Sequence, residues 1–123
     1  AAEGNPGNIY RPEDTQNFTL LLKEFRTQLD AVRPGLLLTI AAPAGPAKYQ
    51  KIELAKVGRA VNYVNLMTYD FHGPWDTITN FQSNLYSTPA DPTTPQKFSV
   101  DATVRAYMRA GVPPAKLVVG VPF

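Results

Sequence analysis

The amino-acid sequence predicts an α/β fold in which parallel strands are joined by helical crossovers. Three short apolar runs alternate with three segments of helical spacing along the 123 residues. Parallel strands need such long connections, whereas antiparallel strands need only a tight turn. The order helix, strand, helix, strand, helix, strand therefore indicates right-handed βαβ units. Because the chain opens in a loop before a helix and ends at a strand, we expect a section of a larger barrel or sheet.

The first element is a helix that starts near residues 11–14 and stops at Pro34. Pro12 suits the first turn, and the acidic residues that follow it complement the helix dipole. Apolar residues then recur at the spacing of one helical face, which predicts that this face is buried. They are Phe18, Leu21, Leu22, Phe25 and Leu29.

A strand, a helix and a second strand come next. Residues 36–42 form a continuous apolar run that Pro43 ends, which is typical of a strand covered on both faces of a parallel sheet. A helix is predicted over residues 47–60 and is weakened by Gly58. The second strand is expected over residues 61–69.

A long irregular segment, residues 71–97, precedes the last helix and strand. Ser99 is a good N-cap for this helix, and Gly111 is a good C-cap. The third strand is expected over residues 116–121. The apolar face of the helix is predicted to contain Val100, Val104, Tyr107 and Met108.

Composition excludes several classes of protein. Twelve basic residues are offset by ten acidic ones without a dense basic run, so no nucleic-acid partner is expected. No stretch approaches the ~18 apolar residues of a membrane span, so no membrane partner is expected either. The lack of cysteine excludes disulfide scaffolds and thiolate sites, and a single histidine excludes a multi-histidine metal centre. Neither a metal nor a cofactor is predicted.

The residues best suited to chemistry follow the second strand. Functional side chains in parallel α/β folds gather at the carboxyl ends of strands. Met67 and Tyr69 share one side of the strand, Asp70 lies at its end, and Trp75 lies in the long loop. A phenol beside a carboxylate can orient a polar substrate group, and an indole can stack on a sugar ring. Structural roles are the alternative: Tyr69 as core, Asp70 as a turn former and Trp75 as a loop anchor.

Two other polar residues of this loop, His72 and Asp76, are weaker candidates for a functional role. His72 has no visible partner in the sequence and is expected to be an ordinary loop residue. A pairing of Asp76 with Asp70 is weakly supported, because six positions and a Gly-Pro turn separate them.

The stretch V-N-L-M-T-Y-D-F-H-G-P-W, residues 64–75, resembles the sixth barrel strand of family 18 glycoside hydrolases, the chitinases. Residues 11–31 resemble the helix after the fourth strand, residues 37–41 the fifth strand and residues 116–123 the seventh strand. The sequence as a whole is most similar to the sequences of bacterial secreted chitinases. The resemblance implies an incomplete (β/α)8 TIM barrel segment, with residues 1–123 as one truncated domain.

The resemblance also implies an activity. Family 18 chitinases hydrolyse β-1,4-linked N-acetylglucosamine polymers by a substrate-assisted retaining mechanism, in which the acetamido oxygen attacks the anomeric carbon. The resemblance implies that Tyr69 and Asp70 are catalytic. Tyr69 would hydrogen-bond the acetamido group, and Asp70 would join the polar network around the acid and the substrate. Met67 would line the floor of the acetamido pocket. Trp75 would stack on the leaving-group side.

One departure from the family pattern concerns the proton donor. The family's acid is the last glutamate of an Asp-x-x-Asp-x-Asp-x-Glu motif on the fourth strand, and this sequence has no such motif. None of its four glutamates has the required spacing; they are Glu3, Glu13, Glu24 and Glu53. We therefore expect a middle section of a chitinase barrel that is inactive alone. Its expected partners are chitin or chito-oligosaccharides and the remainder of its own barrel.

Two further hypotheses stay open at this point. A chitin-binding lectin of the same fold would use Tyr69, Asp70 and Trp75 for binding alone. An unrelated α/β domain that binds sugars or phosphates is the third. The resemblance implies a secreted protein, although the first ten residues lack the basic start and apolar stretch of a signal peptide.

Overall fold

The structure is a computed structural model that describes residues 4–96 and 98–123. It confirms the predicted α/β fold, with three parallel strands in the order β1-β2-β3 and helices in the connections between them. The elements are α1 (Asp14–Val32), β1 (Thr39–Pro43), α2 (Pro46–Tyr49), α3 (Leu54–Ala60), β2 (Tyr63–Met67), α4 (Val100–Arg109) and β3 (Leu117–Val119). Single 3-10 turns lie at Thr94–Gln96 and Pro114–Lys116.

The two faces of the sheet have different environments. In β2, Val64 and Leu66 are buried in the core that the helices cover, and Thr68 just after the strand is buried as well. Met67 projects from the opposite, more open face, and Tyr69 continues that face beyond the strand. This alternation confirms that Met67 and Tyr69 share one side. A segment with one covered and one open sheet face is consistent with part of a larger barrel.

The first strand differs from its prediction. It begins at Thr39 because the N–H of Leu38 donates to the side chain of Asn62, at 2.8 Å, and not to the strand ladder. Within the described residues this strand is covered on one face and not on both as predicted, since Thr39 and Ala41 are exposed. The described helices cover only one side of the sheet.

The predicted helix over residues 47–60 is in fact two helices. The chain turns over residues 50–53 so that Tyr49 and Leu54, on either side of the turn, both reach the core. Gly58 is not the point of interruption but lies inside α3. A Cβ at Gly58 would lie 3.3 Å from two side-chain atoms of Val112, so the small residue allows close packing there.

The buried faces of α1 and α4 include two threonines whose burial the spacing of apolar residues did not predict. Thr19 and Thr103 are buried, and the Thr103 hydroxyl is satisfied by the carbonyls of Ser99 and Ala44 at 2.9 and 3.2 Å. Three residues predicted to be buried are about half exposed, because they lie at the margins of those faces. They are Leu21, Phe25 and Met108.

The predicted caps of α4 are confirmed. Ser99 Oγ accepts a hydrogen bond from the N–H of Ala102 at 3.2 Å. Gly111 follows the helix with φ +94°, in the left-handed region that favours glycine.

Helix α4 also holds the chain where it leaves β1. The hydroxyl of Tyr107, whose side chain is fully buried, donates to the carbonyl oxygen of Pro43 at 2.7 Å. Thr103 bonds the next carbonyl, that of Ala44. The tyrosine ring meets the ring of Tyr49 edge-on, with centroids 5.5 Å apart. Burial raises the pKa of the Tyr107 phenol.

No helix in residues 4–96 and 98–123 is long and apolar enough to span a membrane. The same residues contain no group of three or more His, Asp or Glu side chains arranged to hold a metal ion.

The substitution Tyr107→Phe is expected to lower the free energy of unfolding by about 1–2 kcal/mol, because it leaves the Pro43 carbonyl without its donor. Urea denaturation of the chain at neutral pH measures this loss. Tyr86→Phe is the matched control, since that side chain is 62% exposed. Equal midpoints for both variants would contradict the assigned hydrogen bond.

The raised pKa of Tyr107 predicts a loss of stability at high pH. The folded state holds the phenol proton more tightly than the unfolded chain does, so this contribution is complete below the ordinary value of about 10 and declines above it. The gap in unfolding free energy between wild type and Tyr107→Phe should therefore shrink from pH 9 to pH 11. A gap that stays constant over this range would contradict the prediction.

Candidate functional site

A cavity of about 320 Å³ opens at the carboxyl ends of β1 and β2. Three of the predicted site residues, Met67, Tyr69 and Asp70, line it together. The end of β1 and most of the residues that follow it up to Lys48 supply one wall, and a second wall is aromatic. The latter consists of Phe71 and Phe98, whose rings stack with centroids 6.0 Å apart.

The position of Tyr69 depends on a glycine of the neighbouring strand segment. A Cβ at Gly120 would lie 2.9 Å from the ring of Tyr69 and 2.5 Å from the carbonyl oxygen of Leu66. The bare Gly120 backbone instead donates its N–H to that carbonyl at 2.9 Å. This role of Gly120 was not predicted from the sequence, although a glycine within a strand pattern signals a close backbone approach.

Thr68 fixes the end of β2 from the buried side. Its hydroxyl donates to the carbonyl of Gly120 at 2.7 Å, and its own carbonyl accepts from Ser83 Oγ at 2.7 Å. Thr68 has no exposed surface. The strand end is therefore bonded to β3 on one side and to the long loop on the other.

Asp70 has an unusual backbone conformation. Its φ of +55° lies in the left-handed region, where aspartate is one of the better tolerated residues. Such conformations persist when the surrounding structure enforces them, and they concentrate at functional sites. One carboxylate oxygen, Oδ1, accepts a hydrogen bond from the Gln82 amide at 2.9 Å. Asp70 thus turns the chain, as expected if it has a structural role, and it also lines the cavity.

The exposed indole of Trp75 lies on the loop outside this cavity. Its ring packs over Gly73, where a Cβ would lie only 2.5 Å from the nearest ring atom. The side chain is nevertheless 63% exposed, so most of its surface remains available for contact. The structure therefore groups Met67, Tyr69 and Asp70 and keeps Trp75 apart from them.

His72 is a buried part of the loop framework. Its ring nitrogens lie 3.1 Å from Asp76 Oδ2 and 3.1 Å from Thr93 Oγ1. Asp76 also accepts the N–H of Gly73 at 3.1 Å. The hypothesis that Asp76 pairs with Asp70 was wrong, because the tight turn directs Asp76 to the histidine.

A second carboxylate extends this framework. Asp91 accepts the hydroxyl and the N–H of Thr93 at 2.6 and 2.8 Å and the amide of Asn80 at 2.9 Å. These donors, led by the Thr93 hydroxyl, hold the pKa of Asp91 below its ordinary value. The chain of contacts from Asp76 through His72 to Asp91 keeps the long loop in one shape beside the cavity.

Similarity to known proteins extends over nearly the whole chain. The family model described as Glycosyl hydrolases family 18 matches residues 3–123. Chitinase A1 of Niallia circulans is 43% identical in an alignment that covers 98% of this chain and 18% of that protein. Chitinase ChiA74 from Bacillus thuringiensis superposes with a TM-score of 0.94 at 44% identity, over 99% of this chain and 20% of that chain.

A third relative has been solved with a bound oligosaccharide. It is a mutant of the Ostrinia furnacalis Group II chitinase catalytic domain 2, in complex with penta-N-acetylchitooctaose. It superposes with a TM-score of 0.84 at 33% identity, over 92% of this chain and 29% of that chain. The chain thus spans between 18% and 29% of the lengths of these three relatives.

The close approach at Gly120 predicts that Gly120→Ala is destabilising by about 1–3 kcal/mol, because the added methyl must displace Tyr69 or β3. Gly45→Ala is the matched control: its Cβ would come no closer than 3.7 Å to its neighbours, and its φ is −74°. Urea denaturation of both variants measures the difference. A Gly120→Ala variant as stable as Gly45→Ala would contradict the packing described for Tyr69.

Proposed function

Because the chain belongs to glycosyl hydrolase family 18, we propose that the protein carrying it is a secreted chitinase. It hydrolyses β-1,4-linked N-acetylglucosamine polymers with the substrate-assisted, retaining chemistry of that family. The observation that carries the proposal is the shared cavity of Met67, Tyr69 and Asp70 at the carboxyl end of β2. The bound oligosaccharide of the Ostrinia furnacalis relative supports chito-oligosaccharides as the ligand class.

Within this proposal, Tyr69 and Asp70 position the reacting acetamido group. The Tyr69 phenol donates a hydrogen bond to the acetamido group and holds it beneath the anomeric carbon. The Asp70 carboxylate supplies negative charge and acceptor capacity beside it. Met67 offers an apolar floor for the acetamido methyl group, since its side chain projects from the open face of β2. Holding the attacking atom in place converts a bimolecular step into an intramolecular one.

Trp75 serves the leaving-group side in the same proposal. Its ring is mostly exposed and is placed by its packing over Gly73. A flat indole held in this way suits the apolar face of a sugar ring. Its separation from the cavity agrees with a contact to a neighbouring sugar unit and not to the acetamido group itself.

The mechanism also needs a glutamic acid to protonate the leaving oxygen. The described glutamates have other positions: Glu13 precedes α1, Glu24 accepts from Gln28 on α1, and Glu53 pairs with Lys56 at the start of α3. None of these three lines the cavity. The proposal therefore assigns the proton donor to a residue outside this set, on a strand that faces the same cavity.

We expect Tyr69→Phe and Asp70→Asn in the full-length protein to lower kcat by about 10²-fold or more, because groups that stabilise charge in the transition state are lost. Asparagine tolerates the left-handed backbone of Asp70 and can still accept from Gln82, so Asp70→Asn removes the charge selectively. Hydrolysis of a chito-oligosaccharide measures the effect, with Tyr86→Phe on the same loop as control. Unchanged kcat in both site variants would contradict these roles.

The same assay separates the enzyme from a chitin-binding lectin that uses the same residues. A lectin would bind chito-oligosaccharides through Tyr69, Asp70 and Trp75 but leave them uncleaved. If the full-length protein binds chito-oligosaccharides but does not hydrolyse them, the lectin is favoured.

A further inference from the structure

Gln82 contacts the candidate site from the far side of the long loop. Its amide Nε2 donates to Asp70 Oδ1 at 2.9 Å, across 12 positions of sequence. A hydrogen bond between two exposed side chains contributes little to stability by itself. Its significance depends on whether both ends are held in place.

Backbone contacts on both sides of this pair hold it. The carbonyl of Gln82 accepts the N–H of Phe71 at 2.9 Å. The next residue of the loop, Ser83, donates its hydroxyl to the carbonyl of Thr68 at 2.7 Å. The residues before and after Tyr69 and Asp70 are thus bonded to the loop at the point from which the Gln82 side chain extends.

We propose that Gln82 is a positioning residue that orients the Asp70 carboxylate towards the cavity. The left-handed backbone at Asp70 fixes the direction of its Cβ, so rotation of the carboxylate is the freedom that remains. Gln82 occupies one of the two oxygens and thereby sets the plane of the group. The second oxygen can then meet a ligand in the cavity that Asp70 lines.

The chemistry of the donor matters as well. An amide donates a hydrogen bond without bringing a positive charge, so the carboxylate keeps its full negative charge for the substrate and the acid. An arginine or lysine here would form an ion pair and neutralise that charge. The inference rests on the proposed chitinase function, because orientation of Asp70 is meaningful only if that group acts on a substrate.

The test uses the full-length protein and a chito-oligosaccharide substrate. Gln82→Met keeps the length of the side chain but removes the donor, and kcat should fall about tenfold while the urea midpoint is unchanged. Gln96→Met, an exposed glutamine of the same loop, should leave kcat unchanged. A kcat for Gln82→Met equal to that of the Gln96→Met control would overturn the inference.

A second variant separates orientation of Asp70 from general support of the loop. Near pH 7 the carboxyl introduced by Gln82→Glu is ionised and repels Asp70, but it regains a donating proton near its ordinary pKa of about 4.3. The kcat of Gln82→Glu relative to Gln82→Met should therefore rise as the pH falls from 7 to 4.5. A ratio that stays flat would show that residue 82 acts only through the loop.

The activity of the wild-type protein distinguishes a failure of the positioning role of Gln82 from a failure of the proposed chitinase function. If the wild-type protein cleaves the oligosaccharide and Gln82→Met matches it, the role of Gln82 fails and the chitinase function stands. If the wild-type protein binds without cleaving, the proposed function fails, and the role of Gln82 in positioning Asp70 for catalysis fails with it.

Discussion

The candidate site depends on how Thr68 is held at the carboxyl end of β2. Its buried hydroxyl bonds the Gly120 carbonyl, and its carbonyl accepts from Ser83. A buried threonine whose polar groups are both paired is costly to displace, since unpaired polar groups lose their hydration without compensation. Thr68 therefore fixes its neighbours: Met67 and Tyr69 project from the open face of the sheet, and Asp70 turns the chain away from it.

The long loop after β2 has its own network of hydrogen bonds. A buried imidazole bonded on both ring nitrogens, at His72, holds together Asp76 and Thr93 from distant parts of this loop. Further along, the carbonyls of Asn84 and Leu85 accept the first N–H groups of α4. These contacts offset the entropy cost of ordering so many residues without regular structure. The loop can therefore present Gln82 and Trp75 at fixed places.

Local signals in the sequence predicted most of the fold but only part of the site. Caps such as Ser99 and Gly111, and the alternation of Met67 and Tyr69, depend on neighbours within a few residues, so they could be predicted. The roles of Gly120 and Gln82 depend on contacts with residues more than ten positions away. A glycine in a strand pattern signals a close backbone approach but not its partner, and no local pattern indicates the contact of Gln82. The one-sided coverage of the first strand could not be predicted for the same reason, because the coverage of a sheet face is set by tertiary packing.

In the proposed function, Tyr69 and Asp70 hold the acetamido group of a chitin chain in the cavity at the end of β2. A crystal structure of the full-length protein with a bound chito-oligosaccharide would test this arrangement. We expect an N-acetyl group over Met67, with the Tyr69 hydroxyl about 2.5–3.0 Å from its acetamido oxygen. An oligosaccharide bound elsewhere on the protein, with no sugar in contact with Tyr69 or Asp70, would contradict it.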